Sequence, residues 1–265
     1  MGKNIIVDFD AVIAATAEAS ALVQAIWADD SVTKVWNKSP DNPVSEADIA
    51  SDKLLKDRLS AICPEAGWLS EETADDSDRL DKELLWVVDP IDGTRDFIRG
   101  RSGWAVSVAL VKNHRPIFGI LDAPARGECW IAKEGHGATL NGSMVRASMR
   151  QDFMGSRVPA DQLPKIDYDL VTVEKPNSIA LRMAMVADNR ADLVATLRWG
   201  NEWDVAAADL IASEAGASVS NALGKALTYN NERPQAFGVL CCSAGIHEAA
   251  VDRISDRARQ ILGDG

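Results

Sequence analysis

The apolar run Leu84–Val88 (LLWVV) ends in Asp89-Pro90-Ile91-Asp92-Gly93-Thr94, and no other stretch constrains the fold as tightly. The run itself reads as a β-strand. On the plainest reading, Asp89 before Pro90 ends that strand in a turn. Two carboxylates around a proline, just before Gly-Thr, ask for more. Carboxylates held so close repel one another unless a cation shares them. Mg²⁺ takes oxygen ligands in near-octahedral geometry and keeps water and substrate phosphate in its shell. Two such ions, about 3.5–4 Å apart, can clamp the attacking and leaving oxygens of a phosphoryl displacement. Gly93 removes a side chain where a ligand could approach the backbone, and a Gly-Thr entering a helix offers N–H donors to a phosphate.

The elements around this turn follow from periodicity. Helical spacing of Phe9, Val12, Ile13, Thr16, Ala19, Val23 and Ile26 predicts a helix from Phe9 to Trp27. A second helix follows Ser45, with Leu54, Leu55, Leu59 and Ile62 inward; Pro40, Asn42 and Pro43 punctuate the link between them. GWLS is a short strand leading into an acidic loop. WAVSVALV, PIFGILDAP and ECWIAKEG, separated by KNHR and ARG turns, predict an antiparallel meander, and GHGATLNG a glycine-rich hairpin. Residues 149–166 are irregular. Beyond them come a strand (DLVTV), a helix opening near Ser178, a strand (ADLVATL), a helix from Asp204, a single core strand (FGVLCCS) and an amphipathic helix over His247–Leu262. With no repeats and no long linker, the order predicts a layered mixed α/β fold and one domain over 1–265, in two packed halves of roughly 1–145 and 146–265.

A net charge of −12 argues against a nucleic-acid polymer or an anionic membrane as the main partner, though a divalent cation can reverse the local field inside an acidic pocket. Cys63, Cys129, Cys241 and Cys242 have no zinc-ligand spacing and read as buried free thiols in a reducing compartment. Asp8, Asp10 and Glu18 interrupt what a signal peptide would keep apolar, and no run comes near the roughly 18 apolar residues of a membrane span. The expected location is cytoplasmic. Nucleophile-elbow and P-loop motifs are missing from the sequence.

Taken singly, the acids at element ends have ordinary readings. Asp48 completes a capping box with Ser45, Glu71 and Glu72 begin a solvated acidic loop, and Asp204 favours a helix dipole. Taken together they carry a resemblance. PVSEAD (43–48), LSEET (69–73), DPIDGT (89–94) and EWDVAAADLIASEAGA (202–217) are similar, in this order, to the motifs of the inositol monophosphatase superfamily of Mg²⁺-dependent, lithium-sensitive phosphatases; Ser70 stands where the family has glycine. The resemblance implies a layered αβαβα sandwich. It implies that Glu71, Asp89 and the carbonyl of Ile91 hold one metal, and that Asp89 bridges to a second held by Asp92 and Asp204. A third ion near Glu71 is implied only in the same way. Thr94, paired with Asp48, would position and help deprotonate the attacking water, and Gly93, Thr94, Ser178 and Arg182 would meet the substrate.

Within that superfamily three features bear on the ester. Leu197 falls where inositol monophosphatases place a glutamate for ring hydroxyls, which disfavours inositol. DGTRDF with EWD and LTYN resembles the bacterial 3′(2′),5′-bisphosphate nucleotidases of sulfate assimilation. Arg182 falls where those enzymes carry a basic residue, and a guanidinium can read a second phosphate bidentately; a solvent-facing arginine is the plain alternative. Arg95, Arg99 and Arg101 read equally as surface charges or substrate contacts. The expected activity is release of the 3′-phosphate of adenosine 3′,5′-bisphosphate. The alternatives are an inositol or other polyol phosphatase, or a phosphate-binding regulatory module without turnover. Oligomeric state stays open between monomer and homodimer.

Overall fold

The computed structural model describes residues 7–29, 34–39 and 42–263; Pro40 lies outside them. Helices α1 (Phe9–Ala28) and α2 (Glu46–Ile62) flank a hairpin of β1 (Val35–Ser39) and β2 (Asn42–Ser45). A seven-stranded sheet follows: β3 (Gly67–Ser70), β4 (Leu84–Asp92), β5 (Ala105–Lys112), β6 (Arg115–Ala123), β7 (Glu128–Lys133), β8 (Ala138–Leu140) and β9 (Ser143–Val145), hydrogen-bonded in that order. Only β3–β4 is parallel; the rest is the meander that the turn residues predict. The short helix α3 (Thr94–Ile98) leaves β4. The second half contains β10 (Arg157–Pro159), β11 (Val171–Val173), α4 (Ile179–Ala187), β12 (Leu193–Ala195), β13 (Trp199–Asn201), α5 (Ala206–Glu214), β14 (Ala217–Ser220), β15 (Gln235–Phe237), β16 (Leu240–Ser243) and α6 (His247–Leu262). Its main sheet runs β12-β16-β14.

Three apolar cores fix the layers. Trp86, Val88, Val106 and Val108 pack under α1 and α2 on one face of the large sheet. Leu85, Val87, Ala105 and Ala109 point to the other face, into a core shared with α4 and α5. That alternation is why β4 reads as an unbroken apolar run: it is buried on both sides. The far faces of α4 and α5 meet the small sheet, whose other face packs on α6 through Leu193, Leu240, Ile254 and Ala258. The result is an αβαβα sandwich. Cys241 belongs to one core and Cys242 to the other, so successive strand residues turn the two thiols to opposite faces. All four cysteines are free.

Several details differ from the sequence expectation. FGVLCCS is two strands with different partners, β15 on β13 and β16 between β12 and β14. The β1–β2 hairpin forms where only a punctuated link is predicted, and residues 149–166 contain β10, paired in parallel with β11. Helix α1, with 20 residues and a mean hydropathy of 1.5 across its window, is long and apolar enough to cross a membrane, contrary to the reading that no run comes near that length. Here it lies on α2, β5 and β6, burying Val12, Ala19 and Val23, while Arg58 of α2 forks onto its Glu18 at 2.8 Å.

Candidate active site

Strand β4 does not stop at Asp89. Its ladder with β5 continues to Asp92 but slips: Asp89 faces Ser107 and Asp92 faces Ala105, so one extra residue is accommodated on β4. Pro90 has no N–H to give the ladder, which makes this the natural place for a bulge. The bulge has a chemical consequence. In a regular strand, residues three apart point to opposite faces, and the extra residue restores Asp89 and Asp92 to one side. Asp89 Oδ1 accepts the Ile91 N–H at 3.0 Å, closing the turn.

Four other segments meet this bulge. The capping box at α2 is present: Asp48 Oδ2 accepts from Ser45 N at 2.8 Å and Ser45 Oγ at 2.6 Å. Its Oδ1 lies 3.2 Å from Thr94 Oγ1, which also approaches the Ile91 carbonyl at 3.0 Å. Capping and site chemistry thus use different oxygens of one carboxylate. Glu71 follows β3, and Asp204 precedes α5 with Oδ2 accepting Asn201 N at 3.0 Å. One oxygen from each of Glu71, Asp89 and Asp204 lies within 4.8 Å of the other two.

The electrostatics are those of a cation site. Burial, then Glu71, Asp92, Asp204 and Asp48, push the Asp89 carboxyl well above its ordinary range. Every one of those neighbours is acidic. Burial and Asp92 raise Asp204 to about 8, and burial raises Asp48 to about 6. Asp92 is raised by burial against hydrogen bonds from Ser178 and Ala180 N. A fold that gathers acids at this cost fits a hard, oxygen-seeking cation among Glu71, Asp89 and Asp204.

Two expectations change character. Ser178, expected to meet substrate, is fully buried; its Oγ donates to Asp92 and accepts the Leu181 N–H as the cap of α4. It stands behind Asp92. Gly93 is required by the backbone: its φ is +97°, and a Cβ there would come 2.6 Å from the Gly103 carbonyl and 3.0 Å from Ser178 N. Gly103, a residue without a side chain, fills the space that Gly93 leaves.

A pocket of about 1220 Å³ opens over Asp92, Thr94 and Asp204. Arg95, Arg99, Arg101, Lys175, Arg182 and Arg198 line it, so the arginines after the metal loop border the site. Arg182 is anchored, donating Nε to the Ser178 carbonyl (3.2 Å) and Nη2 to that of Asn177 (2.9 Å). Arg198 went unnoticed in the sequence, as did Asp52. Buried on α2, Asp52 accepts from the hydroxyls of Ser70 and, at 2.7 Å, Thr73, tying down both ends of the Glu71 segment. The substituted Ser70 therefore has a partner of its own.

The profile of the Inositol monophosphatase family matches residues 7–257. The chain belongs to the inositol monophosphatase family. It is a metal-dependent phosphomonoesterase of that family. A 3′(2′),5′-bisphosphate nucleotidase CysQ of Aggregatibacter actinomycetemcomitans is 30% identical over 207 residues, covering 73% of this chain and 77% of the relative. Inositol monophosphatase 2 of Solanum lycopersicum is 28% identical over 231 residues, covering 80% and 85%. Among solved structures, an inositol monophosphatase of Thermotoga maritima superposes with a TM-score of 0.82 at 26% identity, covering 96% of this chain and 98% of that one. At these identities family members named for different substrates are about equally near.

Proposed function

We propose that this phosphatase removes the 3′-phosphate of adenosine 3′,5′-bisphosphate, leaving AMP. The observation that carries the reading is the basic wall: Arg101, Lys175, Arg182 and Arg198 share a pocket with Thr94 and Asp204 in a chain of net charge −12. A bisphosphate has a second anion to offer such a wall, whereas a polyol phosphate offers hydroxyls. Guanidinium groups bind phosphate oxygens as a planar fork. Leu197 lines a neighbouring cavity instead of this pocket and supplies no acceptor for ring hydroxyls. The similarity to a named nucleotidase agrees with this.

In this proposal Glu71, Asp89, Asp92, Asp204 and the Ile91 carbonyl would hold two Mg²⁺ ions, with room for a third by the resemblance alone. When bound, the ions lower the pKa of a coordinated water and offset charge on the transferring phosphoryl group. Thr94 Oγ1 donates to Asp48 and accepts from the attacking water, so the proton leaves toward Asp48. Ser45, donating twice to the other oxygen, keeps Asp48 oriented. Ser178 does the same for Asp92.

Phosphate release with Mg²⁺ from adenosine 3′,5′-bisphosphate and from inositol 1-phosphate, measured side by side, tests the substrate. A kcat/KM at least tenfold higher for the nucleotide is expected. Parity or the reverse would replace this reading with the polyol one, which the tomato relative favours. Asp89→Asn should abolish release while phosphate-ester binding survives; a wild-type chain that binds the esters without turnover would make it a regulatory module.

A further inference from the structure

Glu71 sits in a bend just past β3, where neither a ladder nor a helix fixes its backbone. Whatever fixes that bend fixes the Glu71 carboxylate. The group that does so lies on α2. Asp48, Ser51 and Asp52 stand at i, i+3 and i+4, so they share one helix face, and all three are buried. That face meets three segments of the site. Asp48 Oδ1 lies 3.2 Å from Thr94 Oγ1, Ser51 Oγ approaches the Pro90 carbonyl at 3.5 Å, and Asp52 takes the Glu71 bend.

Asp52 grips the bend from both ends. Its Oδ1 accepts the Ser70 hydroxyl and its Oδ2 the Thr73 hydroxyl at 2.7 Å, which leaves Glu71 and Glu72 between two tethers of one carboxylate. Thr73 Oγ1 in turn accepts from Trp68 Nε1 at 3.3 Å, so the far tether is tied back to β3. Asp52 is only 7% exposed, and hydroxyls rather than a lysine or arginine occupy both its oxygens. Burying a carboxylate without a cation is costly, and both bonds that offset the cost fall on the Glu71 bend. Ser70 is the position at which this chain departs from the motif's glycine, which could make no such bond. The near tether is therefore a feature of this chain's own sequence.

We infer that Asp52 is a positioning residue for the metal site. Through Ser70 and Thr73 it holds the Glu71 bend in its ligating form before a cation arrives, one helical turn from Asp48. The assignment rests on the reading of Glu71 as a metal ligand. Without the tethers a cation must order the bend as it binds, and the entropy lost appears as weaker affinity. Turnover with the metal site filled changes little, because Asp52 acts only through the bend.

Mn²⁺ calorimetry on the full-length chain and on Asp52→Ala, Ser70→Ala and Glu71→Gln tests this, with urea unfolding in EDTA as the control for folding. Asp52→Ala and Ser70→Ala should each weaken Mn²⁺ by about tenfold, within the range in which residues that support metal ligands act. The half-saturating Mg²⁺ for phosphate release should rise by a similar factor, while kcat at saturating Mg²⁺ stays within about twofold. Asp52→Asn, which keeps the shape and one acceptor oxygen, should recover part of the affinity. Ser70→Ala keeps the Asp52 charge, so it separates tethering from plain attraction between Asp52 and the cation, and it suffices alone should Asp52→Ala not fold. A loss confined to Asp52→Ala, with Ser70→Ala unchanged, would overturn the positioning role in favour of a charge effect. Unchanged affinity in both, with Glu71→Gln impaired, would overturn it and spare the ligand assignment. Unchanged affinity in Glu71→Gln would overturn both.

Discussion

Gly93 shows how little freedom single positions of this site have. Its left-handed backbone costs an L-residue about 1–2 kcal/mol, and a Cβ within 2.6 Å of the Gly103 carbonyl adds an overpacking cost of about 1–3 kcal/mol. Gly93→Ala is expected to lower unfolding stability by about 2–4 kcal/mol in urea titrations. Turnover should fall with it, because Thr94 is carried by the same turn. Stability within about 0.5 kcal/mol of the parent would mean that the loop at Gly103 yields, and the close approach would then not explain the glycine. The carboxylates of the cluster were legible in the sequence because each flanks an element end within a spaced motif. Asp52 was not. It lies four residues after Asp48 on the same helix face, a signal that polar composition alone does not separate from a solvated surface.

Between elements, a buried clamp links the Glu71 loop to the Asp204 loop. Arg79 forks onto Asp75 at 2.6 and 2.8 Å, and donates to Asn230 Oδ1 at 2.8 Å and the Asn231 carbonyl at 3.0 Å. Glu202 accepts the N–H groups of Asn230 (2.7 Å) and Asn231 (3.0 Å), two residues before Asp204. This is where the LTYN motif acts, and its residues are not among those that line the pocket. Supports of this kind typically govern metal affinity by about 10–100-fold, so Arg79→Met should weaken Mn²⁺ binding, read directly by calorimetry, by about tenfold or more. An unchanged affinity with reduced stability would make the clamp purely a folding device. Asp192 makes a comparable link from β12 to β10. Burial would raise its pKa, but three hydrogen bonds from Arg157 at 2.8–2.9 Å outweigh that and hold it below the usual range. The sign follows: the unfolded chain binds this proton more readily, so the stabilisation is complete above the unfolded value of about 3.9 and is lost as pH falls through the lower folded one. Asp192→Asn should cost about 1–2 kcal/mol at pH 7 and flatten the acid limb of stability measured from pH 5 downward. An unaltered acid limb would assign it to other carboxylates. Of the β10–β11 pair that this link anchors, β11 was read in the sequence within DLVTV, whereas β10 was not, since a strand of three residues leaves no period to read.

At the scale of the molecule, the layer between the two sheets decides how the halves depend on each other. Helix α5 touches β5, β6 and β7 of the large sheet and β14 of the small one, so neither sheet has a closed core without it. The approach is closest at Gly119 of β6, where a Cβ would meet the Ala207 carbonyl oxygen at 2.8 Å and its Cα at 3.1 Å. The alanines Ala206, Ala207 and Ala208, which read in the sequence as the small residues of a motif and as part of a helix, are small because the sheet lies against their backbone. The layer order was legible from element order and apolar periodicity, whereas the backbone proximity was not, because it depends on which two surfaces meet. Shared burial of this kind predicts that residues 7–263 unfold as one unit. Far-UV circular dichroism and tryptophan fluorescence should report coincident urea transitions, since Trp86, Trp104 and Trp130 sit in the large sheet's half and Trp199 and Trp203 in the other. Gly119→Ala should move the midpoint of that transition down by the equivalent of about 1–3 kcal/mol without dividing it. If the variant instead separates the two signals, the small sheet with α6 holds together without its shared layer, and the halves are domains in their own right.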